Sequence, residues 1–414
     1  MIARSKQVKL YMIAGCFPPF GRGNAITNMC VANGLSELFD VSVVCMQRKD
    51  GGVISYQDDQ SLVEGLNANI TVNRVRAPNW FGINTFFYLL GILPCYFLNW
   101  AYCVIKQRRR VFGKPGIIFA VYPIFSDLVI GYVISRSYGW PLLVDFRDDF
   151  SGVMSRKWRC VFRPLYNYLE RKIVNKASHI TVTTEGLKND IIGRYGLMEE
   201  KISVVYNIVP TCIKKDVNKY SVEIKSRPLL VMYAGAMSAV QKPEILLHAQ
   251  KYLCETESNW TSRIQIELFG PENAYFRMKV RPRLISSCSY NGFVPQNVVA
   301  DRLRSADIGF LSLSDSTYSY ATPTKLFDYI ETGVPVVASL PRGASRDIIE
   351  KYKIGLVADV GDVEGLAMQI KRMVEDDLLR SECRKNMGEI QDVFSTKSQI
   401  DRWKDILIGL KGEN

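Results

Sequence analysis

Short apolar runs alternate with helix-type patterns along the first half of the chain. Residues 8–14 form an apolar run that predicts a buried strand; a Pro-Pro turn with glycines follows, then a helical pattern over 24–39 and a second apolar run at 41–45. Strand, turn, helix and strand in this order predict a parallel sheet with crossover helices. Further strand candidates follow at 116–120, 141–145 and 179–183. We therefore predict an α/β domain over residues 1–210.

A second alternation occupies the C-terminal half. Residues 211–227 are polar, with few large apolar side chains, and predict a linker. We predict a second α/β domain over 228–395 and a C-terminal helix at 396–414 that can return to the first domain. The strand candidates of the second domain are residues 228–235, 264–269, 307–313, 335–340 and 355–358. The expected fold class is α/β, with two doubly wound domains facing each other across a cleft and ligands at the carboxyl ends of the strands.

Composition narrows the class of protein. The 414 residues are 47% hydrophobic and 23% charged, which is typical of a folded globular chain and excludes a disordered or collagenous one. Ten cysteines without C-x-x-C or Cys/His spacing predict buried thiols in a reducing compartment and argue against a metal site. The N-terminus shows no apolar stretch followed by a cleavage site, so we expect a cytoplasmic protein.

The net charge of +12 is concentrated in the first half. Residues 1–210 hold 25 basic and 15 acidic side chains, which predicts a negatively charged partner. An aromatic segment at residues 77–105 has no Asp, Glu, Lys or Arg and contains nine aromatic residues, but Asn84, Pro94 and Asn99 interrupt it. Three interpretations stay open: a membrane-surface segment, buried helices of a soluble domain, or a transmembrane helix.

Basic residues follow the aromatic segment directly. Residues 106–176 contain 14 basic and five acidic side chains. Apolar side chains lie on one helical face of this stretch, namely Trp158, Val161, Phe162, Leu165, Leu169 and Ile173. This combination favours docking on anionic lipid at the inner face of the cytoplasmic membrane, and the alternative is a solvated basic helix that packs on its own domain. Nucleic-acid binding would also use the charge, but no base-reading motif is present and we expect no such partner.

A glycine turn, residues 15–24, separates the first strand from the first helix. Gly21, Arg22 and Gly23 stand at the helix start, where glycines let a phosphate approach the backbone and free N–H groups can bind it. The G-x-G-x-x-G spacing of a dinucleotide site is absent, which disfavours NAD or FAD. The alternative is a tight turn that needs glycine only for its geometry.

The strongest local motif lies at residues 321–338. Its helix opens after Pro323 and carries Lys325 and Asp328 on neighbouring turns. We expect a diphosphate on the backbone of Thr324 and Lys325, with Thr322 as a further donor-binding candidate, and ribose hydroxyls on the Asp328 carboxylate. The alternative is a capped helix with an ordinary surface Lys/Asp pair.

Acidic residues follow the strand at 141–145. Asp148 is our candidate to orient or deprotonate an acceptor hydroxyl, and a structural carboxylate paired with Arg147 is the alternative. Asp145 and Asp148 do not form a D-x-D motif, so we expect no Mg²⁺ site. His179 and His248 have no accompanying nucleophile motif, and we expect both to be structural.

Four motifs together resemble glycosyltransferase family 4. They are the P-x-K-L-F-D-Y-x-x-x-G-x-P-V-V-A order of residues 323–338, the Y-A-G-A-M-S-A-V-Q-K-P stretch at 233–243, the N-G-F-V-P turn at 291–295 and the glycine turn. The likeness spans nearly the whole chain and is most specific in the second domain. It implies the GT-B fold of two Rossmann-like domains, a nucleotide-sugar donor held mainly by the second, an acceptor held by the first, and transfer with retention of configuration.

The resemblance also implies residue roles. Gly21 and Gly23 would lie against the donor diphosphate, and Lys242 would be the cation that neutralises it. Phe293 and Val294 would flank the base. The departing phosphate oxygen can take the acceptor proton, so that Lys242 and Lys325 act by stabilising leaving-group charge. No cofactor or metal is implied, and UDP is the commonest donor nucleotide of the family.

Three positions depart from the family pattern. Asp328 stands where the family usually has the ribose-binding Glu, and Tyr320 stands where it usually has the first acid of its E-x7-E motif. The Arg that often precedes the family's Lys is replaced in the A-M-S-A-V-Q-K stretch. We therefore hold two hypotheses: a retaining glycosyltransferase acting on a membrane-associated glycan or lipid-linked acceptor in surface polysaccharide biosynthesis, or a non-catalytic GT-B subunit that binds a partner glycosyltransferase.

Overall fold

The computed structural model describes residues 8–47, 57–77, 86–87, 93, 95, 97–150, 163–210 and 227–411. The chain divides into two compact units: Met1–Asn207 with Lys397–Asn414, the N-terminal unit, and Ile208–Thr396, the C-terminal unit. Most of the predicted linker lies outside the described residues. So do much of the aromatic segment and the first half of the predicted apolar face, with Trp158, Val161 and Phe162.

The described residues of the N-terminal unit form a seven-stranded parallel sheet. The order across it is β3-β2-β1-β4-β5-β6-β7, so the chain winds one way from β1 and the other way from β4. Its strands are β1 (Lys9–Ile13), β2 (Asp40–Met46), β3 (Thr71–Val75), β4 (Gly116–Tyr122), β5 (Leu142–Phe146), β6 (His179–Val182) and β7 (Ile202–Val204). The predicted doubly wound fold is confirmed for this unit.

Helices cover both faces of this sheet, which is why its central strands are apolar runs rather than alternating patterns. All residues of β5 are buried, for example. The helix Phe125–Tyr138 ends where Gly139 takes a left-handed conformation with φ 74°. The other α-helices that the structure describes before residue 200 are Gly23–Leu35, Gln60–Glu64, Leu98–Lys106, Arg108–Val111, Arg163–Lys176 and Glu185–Tyr195.

The last helix, Thr396–Lys411, packs on the N-terminal unit. Trp403 is 1% exposed, with its ring centroid 6.3 Å from that of Phe119 and its Nε1 3.4 Å from Thr181 Oγ1. The Gln399 side chain accepts a hydrogen bond of 2.9 Å from the Tyr206 backbone N–H. The N-terminal unit is therefore built from two separate segments of the chain, residues 1–207 and 397–414.

The C-terminal unit contains a six-stranded parallel sheet in the order β10-β9-β8-β11-β12-β13. Its strands are β8 (Leu229–Ala234), β9 (Ile264–Phe269), β10 (Cys288–Tyr290), β11 (Ile308–Ser312), β12 (Val336–Ser339) and β13 (Gly355–Ala358). Its helices are Glu244–Thr256, Gln296–Leu303, Thr324–Thr332, Ala344–Lys351, Val363–Glu375 and Asp377–Phe394. This sheet is also doubly wound, as predicted.

Each sheet has one point where its winding reverses. In the N-terminal unit this switch point lies between β1 and β4, and in the C-terminal unit between β8 and β11. In open α/β sheets ligands bind outside the carboxyl ends of the strands at such points. The fold therefore directs attention to the loops that follow β1 and β4, and to those that follow β8 and β11.

The described part of the aromatic segment is divided between surface and core: Phe86 and Phe87 are exposed, whereas the helix that follows packs on the N-terminal unit. The helix Leu98–Lys106 buries Trp100, Ala101 and Val104, while Tyr102 is 65% exposed. Among the residues that the structure describes, no helix is both long and apolar enough to cross a bilayer. The helix Leu98–Lys106 therefore packs one face on the core and exposes Tyr102 on the other.

Candidate active site

A buried lysine lies at the switch point of the C-terminal unit. Pro323 caps the Thr324–Thr332 helix, and Lys325 is its second residue. Lys325 is only 6% exposed; its Nζ donates a hydrogen bond to the Gln241 side-chain oxygen and lies 4.1 Å from the centroid of the Tyr233 ring. The first turn of this helix thus meets the loop that follows β8.

Two glycines make room for this ammonium group. A Cβ on Gly235 would lie 2.8 Å from Lys325 Nζ, so any side chain there would push the ammonium group out of its place. A Cβ on Gly270, whose φ is +154°, would lie 2.1 Å from the Gly235 carbonyl oxygen. The loops after β8 and β9 therefore lie against each other, and against Lys325, at glycines that have no side chain.

Tyr233 and Gln241 complete the lysine's surroundings. The Tyr233 hydroxyl lies 2.6 Å from the Ala236 carbonyl oxygen and 2.9 Å from Gln241 Oε1. Burial raises the pKa of Tyr233 well above its ordinary value, so the hydroxyl is a neutral donor. Both residues lie inside the 233–243 stretch that carries the family resemblance, but no local pattern marked either as a site residue.

Lys325 is buried and Asp328 is half-buried with its Oδ1 enclosed, which corrects the interpretation of an ordinary surface pair. Burial lowers the pKa of Lys325 to about 7, opposed by the nearby Asp328. Burial also raises the pKa of Asp328 to about 7, opposed by Lys325. Asp328 Oδ1 is buried and has no hydrogen-bond partner among the described residues. The Asp328 Oδ1 acceptor and the Lys325 amine, whose protonation depends on its surroundings, therefore lie one helical turn apart.

The other donor-side candidates lie on neighbouring loops. Lys242 is exposed and has a left-handed backbone with φ 36°. Phe293 and Val294 are half-buried and follow β10 after Gly292, whose carbonyl accepts a 2.9 Å hydrogen bond from the Gly270 N–H. Lys242 thus ends the loop after β8, and the Phe293–Val294 pair is tied to the loop after β9.

The residues around the helix opening differ in exposure. Thr322 and Tyr320 are buried, whereas Thr324 is half-buried. The Ser345 hydroxyl donates a 2.6 Å hydrogen bond to the Ala321 carbonyl, which fixes this loop from the next helix. The position where the family usually has an acid is thus occupied by a buried aromatic ring.

The glycine turn follows β1 in the N-terminal unit. Arg22 is exposed and caps the Gly23–Leu35 helix through its extended backbone, without a side-chain cap bond. The Gly21 N–H donates to the Gln57 carbonyl at 2.9 Å. Gly21 and Gly23 are half-buried. The three predicted residues thus stand together at the amino end of a thirteen-residue helix.

Arg147 is paired with Asp145 and not with Asp148. Its Nε donates to Asp145 Oδ2 at 2.7 Å and its Nη1 to Asn28 Oδ1 at 2.8 Å, all three residues being buried. Asn28 in turn donates to the Cys16 carbonyl at 2.7 Å. The structural carboxylate of this segment is therefore Asp145, while Asp148 is half-buried beside it.

The two histidines have neighbours outside the predicted site. His179 Nε2 lies 2.9 Å from Ser203 Oγ, and His248 Nε2 accepts a 2.9 Å hydrogen bond from Arg283. Burial lowers the pKa of each imidazole. In the described part of the chain, no group of three or more His, Cys, Asp or Glu side chains is arranged to hold a metal ion.

Two family models match consecutive parts of the chain. The model described as Glycosyltransferase Family 4 matches residues 27–211, and that described as Glycosyl transferases group 1 matches residues 214–389. The chain belongs to glycosyltransferase family 4. No curated protein matches it significantly.

Solved structures share the fold of this family 4 glycosyltransferase at low sequence identity. Sucrose-phosphate synthase from Thermosynechococcus elongatus has a TM-score of 0.74 at 15% identity, covering 99% of this chain and 100% of that one. Anabaena Alr3699/HepE in complex with UDP-glucose has a TM-score of 0.68 at 15% identity, covering 97% and 100%. WaaG, a glycosyltransferase involved in lipopolysaccharide biosynthesis, has a TM-score of 0.68 at 14% identity, with coverage of 97% and 100%. The GT-B fold that the resemblance implied is confirmed.

Proposed function

We propose that this glycosyltransferase transfers a sugar from a nucleoside-diphosphate sugar, with retention of configuration, to a membrane-associated glycan or lipid-linked acceptor in surface polysaccharide biosynthesis. The observation that carries the proposal is the buried Lys325 ammonium at the switch point of the C-terminal unit. A cation without a carboxylate partner in direct contact suits a ligand that brings its own negative charge.

The donor would be held along the carboxyl edge of the second sheet. The backbone at Thr322 and Thr324, the helix N-terminus and the exposed Lys242 would contact the diphosphate. The unpartnered Asp328 oxygen would accept hydrogen bonds from the ribose, and Phe293 with Val294 would flank the base. From the N-terminal unit, the bare backbone of Gly21, the Gly23 N–H at the helix start and the Arg22 cation would contribute to diphosphate binding. UDP is our first choice of nucleotide, because HepE binds UDP-glucose.

The reaction needs a stabilised leaving group. The bond between the sugar C1 and the phosphate oxygen breaks, and a bond from C1 to the acceptor oxygen forms on the same face. The acceptor proton passes to the departing phosphate oxygen, and Asp148 would orient the acceptor hydroxyl. Lys325 and Lys242 would balance the charge that develops on the diphosphate, so that positioning and electrostatics supply the catalysis without a metal ion.

A basic and aromatic surface of the N-terminal unit supports a membrane-bound acceptor. The helices Leu98–Lys106 and Arg163–Lys176 both contact the helix Phe125–Tyr138. Tyr102, Leu165 and Tyr168 are exposed on the first two, where apolar and basic side chains are interleaved. Such a surface favours the inner, anionic face of the cytoplasmic membrane, at about 1 kcal/mol per basic residue near the lipid.

The donor is tested first by thermal shift against UDP-, GDP-, dTDP- and CMP-sugars. A ligand at 100 times its Kd stabilises the folded protein by about 2.7 kcal/mol. A shift with one nucleotide class would identify the base and open acceptor screening. No shift with any donor would contradict the proposal.

Membrane binding is tested by sedimentation with phosphatidylglycerol vesicles, with phosphatidylcholine vesicles as the neutral comparison. Replacing Arg108, Arg109 and Arg110 by Gln should weaken binding to the anionic vesicles. Replacing Arg277 and Arg281, exposed in the C-terminal unit, should leave it unchanged. Equal loss in both variants would refute a specific surface.

A non-catalytic subunit is the second candidate, because Tyr320 is a buried aromatic residue where the family usually has an acid. The two functions differ in one measurement: release of free nucleoside diphosphate by the isolated protein in the presence of donor and acceptor. Turnover would exclude the non-catalytic subunit.

A further inference from the structure

A buried carboxyl group lies at the switch point of the N-terminal unit. Asp127 is the third residue of the Phe125–Tyr138 helix, which follows β4, and it is 2% exposed. Its Oδ2 accepts a 2.8 Å hydrogen bond from the backbone N–H of Gly15, 112 residues earlier in the chain and two residues beyond β1. This bond therefore joins the loops after the two strands between which the winding reverses.

Asp127 has no compensating charge in direct contact. Its Oδ1 is buried and lacks a hydrogen-bond partner among the described residues. A Cβ on Gly15 would lie 3.0 Å from this oxygen and 3.2 Å from side-chain carbons of Ile124 and Met46, so the group sits in a close and partly apolar pocket. Burial raises its pKa well above the ordinary value, which favours a neutral carboxyl group. Unpartnered buried polar atoms of this kind are rare in folded proteins and call for an explanation.

The contact anchors the root of the glycine turn. Gly15 is the first residue of that turn, and the next residue, Cys16, is held through its carbonyl by Asn28 at 2.7 Å. Two consecutive backbone groups are thus bound by buried side chains from different elements. The middle of the turn carries Gly21 and Gly23, and its geometry depends on where this root is held.

We propose that Asp127 is a positioning residue that fixes the root of the glycine turn and thereby sets the enzyme's affinity for its nucleotide-sugar donor. The proposal rests on the proposed function for its kinetic consequence. Asp127 does not touch the donor; it acts through the backbone of Gly15. A neutral side chain with an acceptor oxygen is what this position requires, and a negative charge is not.

The kinetic test compares three variants. Asp127→Ala removes the acceptor and leaves the Gly15 N–H unsatisfied, and we expect the donor KM to rise about tenfold with little change in the acceptor KM. Asp127→Asn keeps an acceptor oxygen without an ionisable proton, and should restore the donor KM to within about twofold of the wild type. Ser135→Ala is the matched control, since Ser135 is buried in the last turn of the same helix and donates to the Trp140 carbonyl at 2.6 Å. It should lower stability without changing the donor KM.

Hydrogen exchange separates this inference from the proposed function. In the protein without ligand, amides of residues 15–24 should exchange about tenfold faster in Asp127→Ala than in the wild type, and at unchanged rates in Ser135→Ala. Should Asp127→Ala fail to fold, Gly15→Ala presses on the same contact and should accelerate the same amides. Unchanged exchange in a folded variant would overturn the positioning role even in an active enzyme. Faster exchange in a protein that turns over no donor would instead contradict the proposed function alone.

Discussion

Replacing Lys325 by methionine removes the buried ammonium group while keeping a side chain of similar length. A charge-assisted contact to a diphosphate contributes about 1.5–3 kcal/mol, so donor affinity should fall roughly 10- to 150-fold. Stability without ligand should stay the same or rise, because burying the Lys325 ammonium costs desolvation free energy that opposes folding. Affinity and stability should therefore change in opposite directions.

Donor binding should also change the protonation of Lys325. Burial lowers the pKa of Lys325 to about 7, so the amine is partly neutral in the unliganded protein above that pH. A bound diphosphate raises the pKa of the amine, so binding at pH 8 should take up protons. Asp328 contributes little there, because its pKa is also about 7 and it is already mostly ionised at pH 8.

Isothermal titration calorimetry in two buffers of different ionisation enthalpy measures that uptake. Proton uptake should vanish in Lys325→Met and persist in Lys385→Met, which removes an exposed lysine of the same unit. The reasoning would be refuted by proton uptake that survives Lys325→Met, or by donor affinity that does not change.

Three further predictions concern single positions. Because the pKa of Asp328 is raised in the folded protein, the folded state binds more protons than the unfolded state between about pH 4 and 7. The contribution of Asp328 to the free energy of unfolding therefore falls as the pH rises through this range. Asp328→Asn should remove that contribution in pH-dependent urea unfolding while weakening donor binding by about 1.5–3 kcal/mol, and an unchanged affinity would contradict the ribose role. Gly235→Ala should lower donor affinity at least about tenfold in thermal-shift titrations, because its Cβ would displace the buried ammonium; Gly193→Ala, in open space, should not. Trp403→Ala should cost about 3–5 kcal/mol in urea unfolding, against a small effect for the half-exposed Ile408→Ala, and a loss below about 1 kcal/mol would mean that the last helix contributes little to the N-terminal unit.

Local patterns located most of the elements and the helix that bears the site, but they missed β3, β7 and β10, edge strands of which two have only three residues. Apolar runs predicted the buried strands, because strands covered on both faces have no polar side. Pro323 and Gly333 marked the start and the end of the Thr324–Thr332 helix in the sequence. Gly333 takes the left-handed conformation expected of a helix end.

Partners far apart in the chain were beyond such patterns. Lys325 and Gln241 are 84 residues apart, and Asp127 and Gly15 are 112 apart. Their contacts follow from strand order, which sequence periodicity does not encode, because many strand orders satisfy the same pattern of apolar runs. For the same reason, the sequence allowed a surface position for Lys325 and a pairing of Asp148 with Arg147.

By itself, the sequence determined that the chain has two α/β halves, where most of their strands fall, and which motifs resemble family 4. These properties depend on neighbours within one or two turns of backbone. Only the tertiary structure decided which side chains are buried at the switch points and what charge they carry there. Burial depends on residues brought from distant parts of the chain, and burial is what lowers the pKa of Lys325, raises that of Asp127, and leaves Asp328 with an acceptor oxygen to offer.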